Sequence, residues 1–156
     1  MRALPGAALA LLVSAAPSLA DGTCAEDRID LRSPKGQARF TVEIADTADE
    51  RAQGLMFRES LGAMKGMLFV YERAEPVAFW MENTLIPLDI IFAGADGVVV
   101  SVQAGAKPLD RTALPSGAPA QFVLEINAGM AARLGIGPGT EMRHPRIGQG
   151  AAWPCG

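Results

Sequence analysis

Two carboxylates stand where a charge is costly. Asp89 interrupts the run Leu88-Asp89-Ile90-Ile91-Phe92, and Glu125 interrupts Phe122-Val123-Leu124-Glu125-Ile126. A carboxylate in such a run must be paired or hydrogen-bonded, or its pKa rises until it is neutral. Arg51 and Arg58, on either side of Gly54-Leu55-Met56, are the candidate partners, because a guanidinium fork engages a carboxylate with two bonds. The set suits an anion-reading or acid/base site, or an internal salt bridge with no function. Carboxylate hydrolysis of the glycosidase kind would need Asp89 and Glu125 to face each other at roughly 5 to 9.5 Å across a cleft.

Other catalytic chemistries lack parts. The one histidine, His144, precedes Pro145, and the chain carries no GxSxG, HExxH or GxxxxGK. Nothing implies a cofactor. Methionine offers a different chemistry: Met56, Met64, Met67 and Met81 gather near Trp80, and thioethers are soft ligands for Cu(I) that an indole face can cover. Met56, Met67 and Met81 are the candidate copper ligands, against the alternative that methionine fills gaps in a core.

The stretch FWMENTLIPLDIIF, Phe79 to Phe92, joins two apolar runs through the polar break Glu82-Asn83-Thr84 and then Pro87. From Val77 to Met81 both alternating sets are apolar, as in a strand covered on both faces. Asn83 and Thr84 have side chains that bond nearby backbone, and Pro87 cannot donate to a ladder. The break reads as a structural corner. A corner carrying Asn83, Thr84 and a neighbouring Trp80 also supplies the few convergent polar groups of a small pocket.

The elements that must position these residues are mostly strands. Runs of strand-forming residues between turn signals fall at Arg28–Arg32, Arg39–Ala45, Gly66–Glu72, Val77–Met81, Leu88–Ala93, Val98–Ala104 and Ala120–Asn127. Asp96-Gly97 between two of them predicts a two-residue hairpin turn. Two short peripheral helices are expected: one opened by the capping-box pattern Thr47-Ala48-Asp49-Glu50 and ended by Gly54, the other over Ala128–Leu134, capped by Asn127 and closed by Gly135. Lys107–Pro119, with three prolines, reads as a surface loop.

The ends suggest a compartment. Residues 1–20 place Arg2 before an apolar run from Ala7 to Val13 and then Ser18 and Ala20 in a small-residue cleavage pattern, which reads as a secretory signal peptide. The run is far short of the ~20 residues that span a bilayer. The rest divides into one β-rich domain, 21–147, and a tail, 148–156; no membrane span is expected in the mature chain. In an oxidising compartment Cys24 and Cys155 would form a disulfide tying the two ends. Net charge is −3, and nothing basic enough remains to grip nucleic acid.

ERAQGLMFRESL, KGMLFVYE, FWMENTLIPLDIIF and FVLEINAGMAARLGIGPGT, in this order, resemble the domain of unknown function 192 family, small and often exported proteins of bacteria and archaea. The resemblance spans about Phe40 to Met142. It implies a compact, mostly antiparallel β domain with small helices, barrel-like or a sandwich, and it implies no activity. The expectation is a periplasmic or secreted, non-catalytic binding module for a small polar or anionic ligand or a protein partner. Its site would draw on Arg51, Arg58, Trp80, Asn83, Thr84, Asp89 and Glu125.

Overall fold

Runs of β-branched and aromatic residues bounded by turn formers become strands here. The computed structural model describes residues 23–156; the expected signal peptide lies outside the described residues. In chain order the elements are β1 (Arg28–Ser33), β2 (Gly36–Ala45), α1 (Ala48–Gln53), β3 (Lys65–Glu75), β4 (Ala78–Phe79), β5 (Leu88–Ala93), β6 (Val99–Ala106), β7 (Leu114–Pro115), β8 (Ala120–Asn127), α2 (Met130–Leu134), β9 (Glu141–Arg143) and a 3-10 segment, Pro145–Gly150. Seven strands form one sheet in the order β6-β5-β8-β3-β2-β1-β9, and β4 and β7 make a separate two-stranded ribbon. The Val99 N–H donates to the Thr140 carbonyl at 2.8 Å and the Met142 N–H to that of Gly97 at 2.9 Å. These bonds draw the two outer strands toward each other and curl the sheet into a barrel-like form.

Period-two alternation divides the core in two. Leu68, Ile91, Phe122, Leu124 and Ile126 face inward with Phe40 and Val42. Met67, Phe69, Ile90, Phe92 and Val123 face outward and are covered by Leu55, Met81 and Ile86, with Phe79 and Leu114 of the ribbon packed against them. Phe79 sits edge-on to Phe69 at 4.9 Å and to Phe92 at 5.7 Å, a favoured aromatic geometry.

Several local features differ from the expectation. Every neighbouring pair in the large sheet is antiparallel except β2 and β3, which run parallel; the crossover through α1 makes that possible. The strand expected over Val77–Met81 is ordered as a ladder only at Ala78–Phe79, against Leu114–Pro115, inside the segment read as a loop. The turn before β6 holds three residues, Ala95 to Gly97: the Gly94 N–H donates to the Val98 carbonyl, and Gly97 takes the left-handed conformation, φ 77°, that such loops need. Asn127 does not cap α2. Its amide donates instead to the carbonyls of Leu61 and Gly62, at 2.9 and 3.1 Å, and α2 starts later, after Gly129. By contrast α1 has the full capping box of Thr47 and Glu50 and ends at Gly54.

The two ends of the described chain are joined. Cys24 and Cys155 form a disulfide with Cα atoms 5.8 Å apart. Just before it, two guanidinium groups lie over the Trp153 ring, that of Arg32 at 4.5 Å and that of Arg143 at 4.4 Å. Arg143 also bonds Asp30 at 2.7 Å, and Arg39 bonds the same carboxylate at 2.6 Å. Burial pushes the Asp30 carboxyl up, but its two arginine partners outweigh that and hold it below the ordinary range.

Candidate functional site

The outer face of the sheet carries a cavity of about 370 Å³ between α1 with the turn behind it and the β4 segment. Its parts follow from local structure. Strand alternation aims Phe69 and Tyr71 of β3 and Glu125 of β8 toward it, since Met67 and Glu125 are cross-strand partners on that face. The α1 helix contributes Arg51, and the chain beyond β4 contributes Trp80 and Thr84. Gly54 is required at the bend: its φ is 49°, and a Cβ there would stand 3.2 Å from the Phe69 ring.

Glu125 lines the cavity although it is only 5% exposed. Among the described residues its carboxyl makes no side-chain hydrogen bond or ion pair, so burial acts unopposed and pushes its pKa up to about 8. At neutral pH it is a carboxylic acid, able to donate a hydrogen bond. Burial likewise raises the neighbouring Tyr71 phenol. Arg51 is fixed by one guanidinium nitrogen, which donates to the carbonyls of Asp46 at 2.7 Å and Val70 at 2.9 Å. Its guanidinium lies 4.9 Å above the Tyr71 ring. No carboxylate pairs with it among the described residues. The Thr84 hydroxyl donates to the Glu82 carbonyl, leaving its oxygen lone pairs for another donor.

Of the expected site residues, Arg51, Trp80, Thr84 and Glu125 therefore line one cavity. Asn83 sits beside it, its amide 4.0 Å from the Met56 sulfur. Arg58 lies elsewhere, in a two-bond pair with Glu43 at 2.6 and 2.7 Å. Asp89 lies on the other face of the sheet. Its partner across β8 is Ile126, whereas that of Ile90 is Glu125, so the two carboxylates diverge and cannot flank one sugar bond. Asp89 is satisfied by the N–H groups of Gly105 and Ala131, both at 2.9 Å. Neither of the expected arginine partners reaches a buried carboxylate.

Met67 and Met81 are buried in the outer half of the core, and Met56 reaches the cavity. Among the described residues no group of three or more His, Cys, Asp or Glu side chains is placed to hold a metal ion. The sequence reading missed Tyr71, Phe69 and Phe79 as cavity residues. Tyr71 and Phe69 had a signal in the alternation Met67-Phe69-Tyr71.

The profile of an uncharacterised family, the domain of unknown function 192, matches residues 31–144. A crystal structure of a protein of unknown function from Novosphingobium aromaticivorans DSM 12444 is 47% identical and superimposes with a TM-score of 0.72, covering 74% of this chain and 82% of that one. A protein from Sinorhizobium meliloti 1021, described provisionally as a transcription regulator, is 35% identical with a TM-score of 0.75, covering 81% and 98%. No curated protein matches.

Proposed function

The chain belongs to the domain of unknown function 192 family, which supplies no activity, and we propose that it is an exported, non-catalytic module that binds a small ligand with an apolar body and one anionic group. One observation carries this reading: among the described residues Arg51 has no carboxylate partner and the Glu125 carboxyl no side-chain hydrogen bond, and the two line the same aromatic-walled cavity. Both face the cavity, where a ligand can supply their partners. A ligand carboxylate would engage the free edge of the Arg51 guanidinium. The neutral Glu125 acid donates to a ligand oxygen without repelling that anion. Phe69, Phe79 and Trp80 pack its apolar part. Export is supported by the leader pattern of residues 1–20 and by a disulfide, which persists in oxidising compartments. The regulatory description of the Sinorhizobium protein is not carried over, because a net charge of −3 offers little to nucleic acid phosphates.

The test is a thermal-shift panel of small aliphatic and aromatic carboxylates, N-acetylphenylalanine among them, at pH 6.5. A binder at a hundredfold excess over Kd stabilises by about 2.7 kcal/mol. Arg51→Gln should remove the ligand-induced shift, whatever it does to the unliganded melting point. If no carboxylate shifts the wild type, or if Arg51→Gln keeps the full shift, the reading is wrong.

A further inference from the structure

We propose that the occupant of this cavity is an extended peptide segment that adds as a strand to the open edge of β4, an inference that rests on the binding reading above and names its ligand class. β4 is paired on one side only. The Ser116 N–H donates to the Val77 carbonyl at 2.8 Å, which makes those two a hydrogen-bonded pair, and Phe79 stands opposite Leu114 two residues further on. In an antiparallel pair the direction of the main-chain groups alternates along each strand. The N–H and C=O of Ala78 therefore point away from β7, and Trp80 follows directly beyond the ladder. Pro115, opposite Ala78, has no N–H to offer it.

These outward groups meet no backbone partner among the described residues. β4 pairs with β7 alone, and Trp80 takes part in none of the turn and loop bonds around it. Ala78 and Trp80 both line the cavity, and Arg51 and Ala52 of α1 line it from the other side. A groove between a strand edge and a helix presents what a peptide backbone reads: alternating donors and acceptors on one wall and a pocket for a side chain below. An extended peptide can pair with those main-chain groups in place of water, which a small metabolite does not. Trp80, which lines the cavity and is 44% exposed, suits an apolar flanking residue. Arg51 supplies the charge complement, so the segment carries a carboxylate, either its C-terminus or an acidic side chain.

A phage-displayed library of random dodecapeptides, panned against the oxidised protein, tests this. The enriched sequence is then synthesised as free acid and as C-terminal amide. In the complex the amides of Ala78 and Trp80 should gain hydrogen-exchange protection. Ala78→Pro, which removes an N–H that the β4–β7 ladder does not use, should weaken the peptide about tenfold more than it weakens N-acetylphenylalanine, which makes no strand-edge bond. Loss of affinity on amidation identifies the C-terminus as the Arg51 partner; equal affinity of acid and amide, with loss in Arg51→Gln, identifies an acidic side chain. Should Ala78→Pro fail to fold, the Trp80 amide in the wild type reads the same contact. If no peptide is enriched, or if a bound peptide leaves the Trp80 amide unprotected, the strand-addition inference fails. Binding of N-acetylphenylalanine in that case leaves the small-ligand reading standing, and its absence removes both.

Discussion

The Phe57 N–H donates to the Asn83 carbonyl at 2.8 Å, and both residues hold a left-handed backbone, φ 63° and 51°. The bond ties the turn after α1 to the corner after β4, so the two walls of the cavity are joined at one end. Asn83 suits the left-handed region because its short polar side chain tolerates it, but Phe57 does not, and the conformation costs roughly 1 to 2 kcal/mol there. Its ring is largely exposed and regains little of that by burial. Phe57→Asn should accordingly raise stability by about 1 kcal/mol, measured by urea unfolding with an unchanged m-value. A loss of stability would mean that the ring is held by contacts that outweigh the strain.

Asp89 should behave as a structural acceptor. Its two oxygens each take one backbone N–H, from Gly105 near the end of β6 and from Ala131 in the first turn of α2. An amide has a single oxygen, so Asp89→Asn turns an NH₂ group toward one of those donors. The expected cost is about 2 to 3 kcal/mol, with α2 amides exchanging faster. Binding at the cavity should persist, because Asp89 faces the opposite side of the sheet.

How far such roles were legible depends on where each partner lies in the chain. Leu88–Ala93 and Ala120–Asn127 are strands at the expected bounds, since central strands covered on both faces are apolar throughout and end at turn residues. Leu114–Pro115 was hidden in a proline-rich segment: it is a strand because Ala78 and Phe79 lie beside it, and no pattern of its own marks it. The parallel pairing of β2 with β3 depends likewise on a crossover. Arg51, Trp80, Thr84 and Glu125 could be nominated by residue type and share a cavity. Arg58 and Asp89 were nominated by the same logic, yet Glu43 and two backbone amides satisfy them. Such satisfiers carry no sequence signature.

Glu125 gives stability a pH dependence of known sign. The folded protein keeps the proton up to about pH 8, whereas the unfolded chain releases it near 4.5. Between those values the native state binds more protons, so stability falls as pH rises and the contribution is complete only below 4.5. At pH 7 the loss is roughly 3 kcal/mol. Glu125→Gln should abolish this slope and stabilise the protein at pH 8, while leaving the opposite trend of His144, whose pKa burial lowers, below its ordinary 6.5. Denaturation midpoints from pH 5 to 9 check it. Parallel curves for wild type and variant would show that the carboxyl is already ionised.

The disulfide links residues 131 positions apart. Closing so long a loop in the unfolded chain is worth about 5 kcal/mol in the chain-entropy account, an upper value because unfolded chains retain structure. Trp153 gives the native tail a second, non-covalent attachment, since the Arg32 and Arg143 guanidinium groups both lie over its ring. The two effects act on different states and should separate. Cys24→Ser should lower stability by about 3 to 5 kcal/mol while the tail stays docked, seen as unchanged indole fluorescence of Trp153 in a Trp80→Phe background. Trp153→Ala with the disulfide intact should cost only about 1 to 2 kcal/mol and release the tail locally. If Cys24→Ser instead undocks Trp153, the disulfide holds the tail in the native state, and the stacked guanidinium groups contribute little.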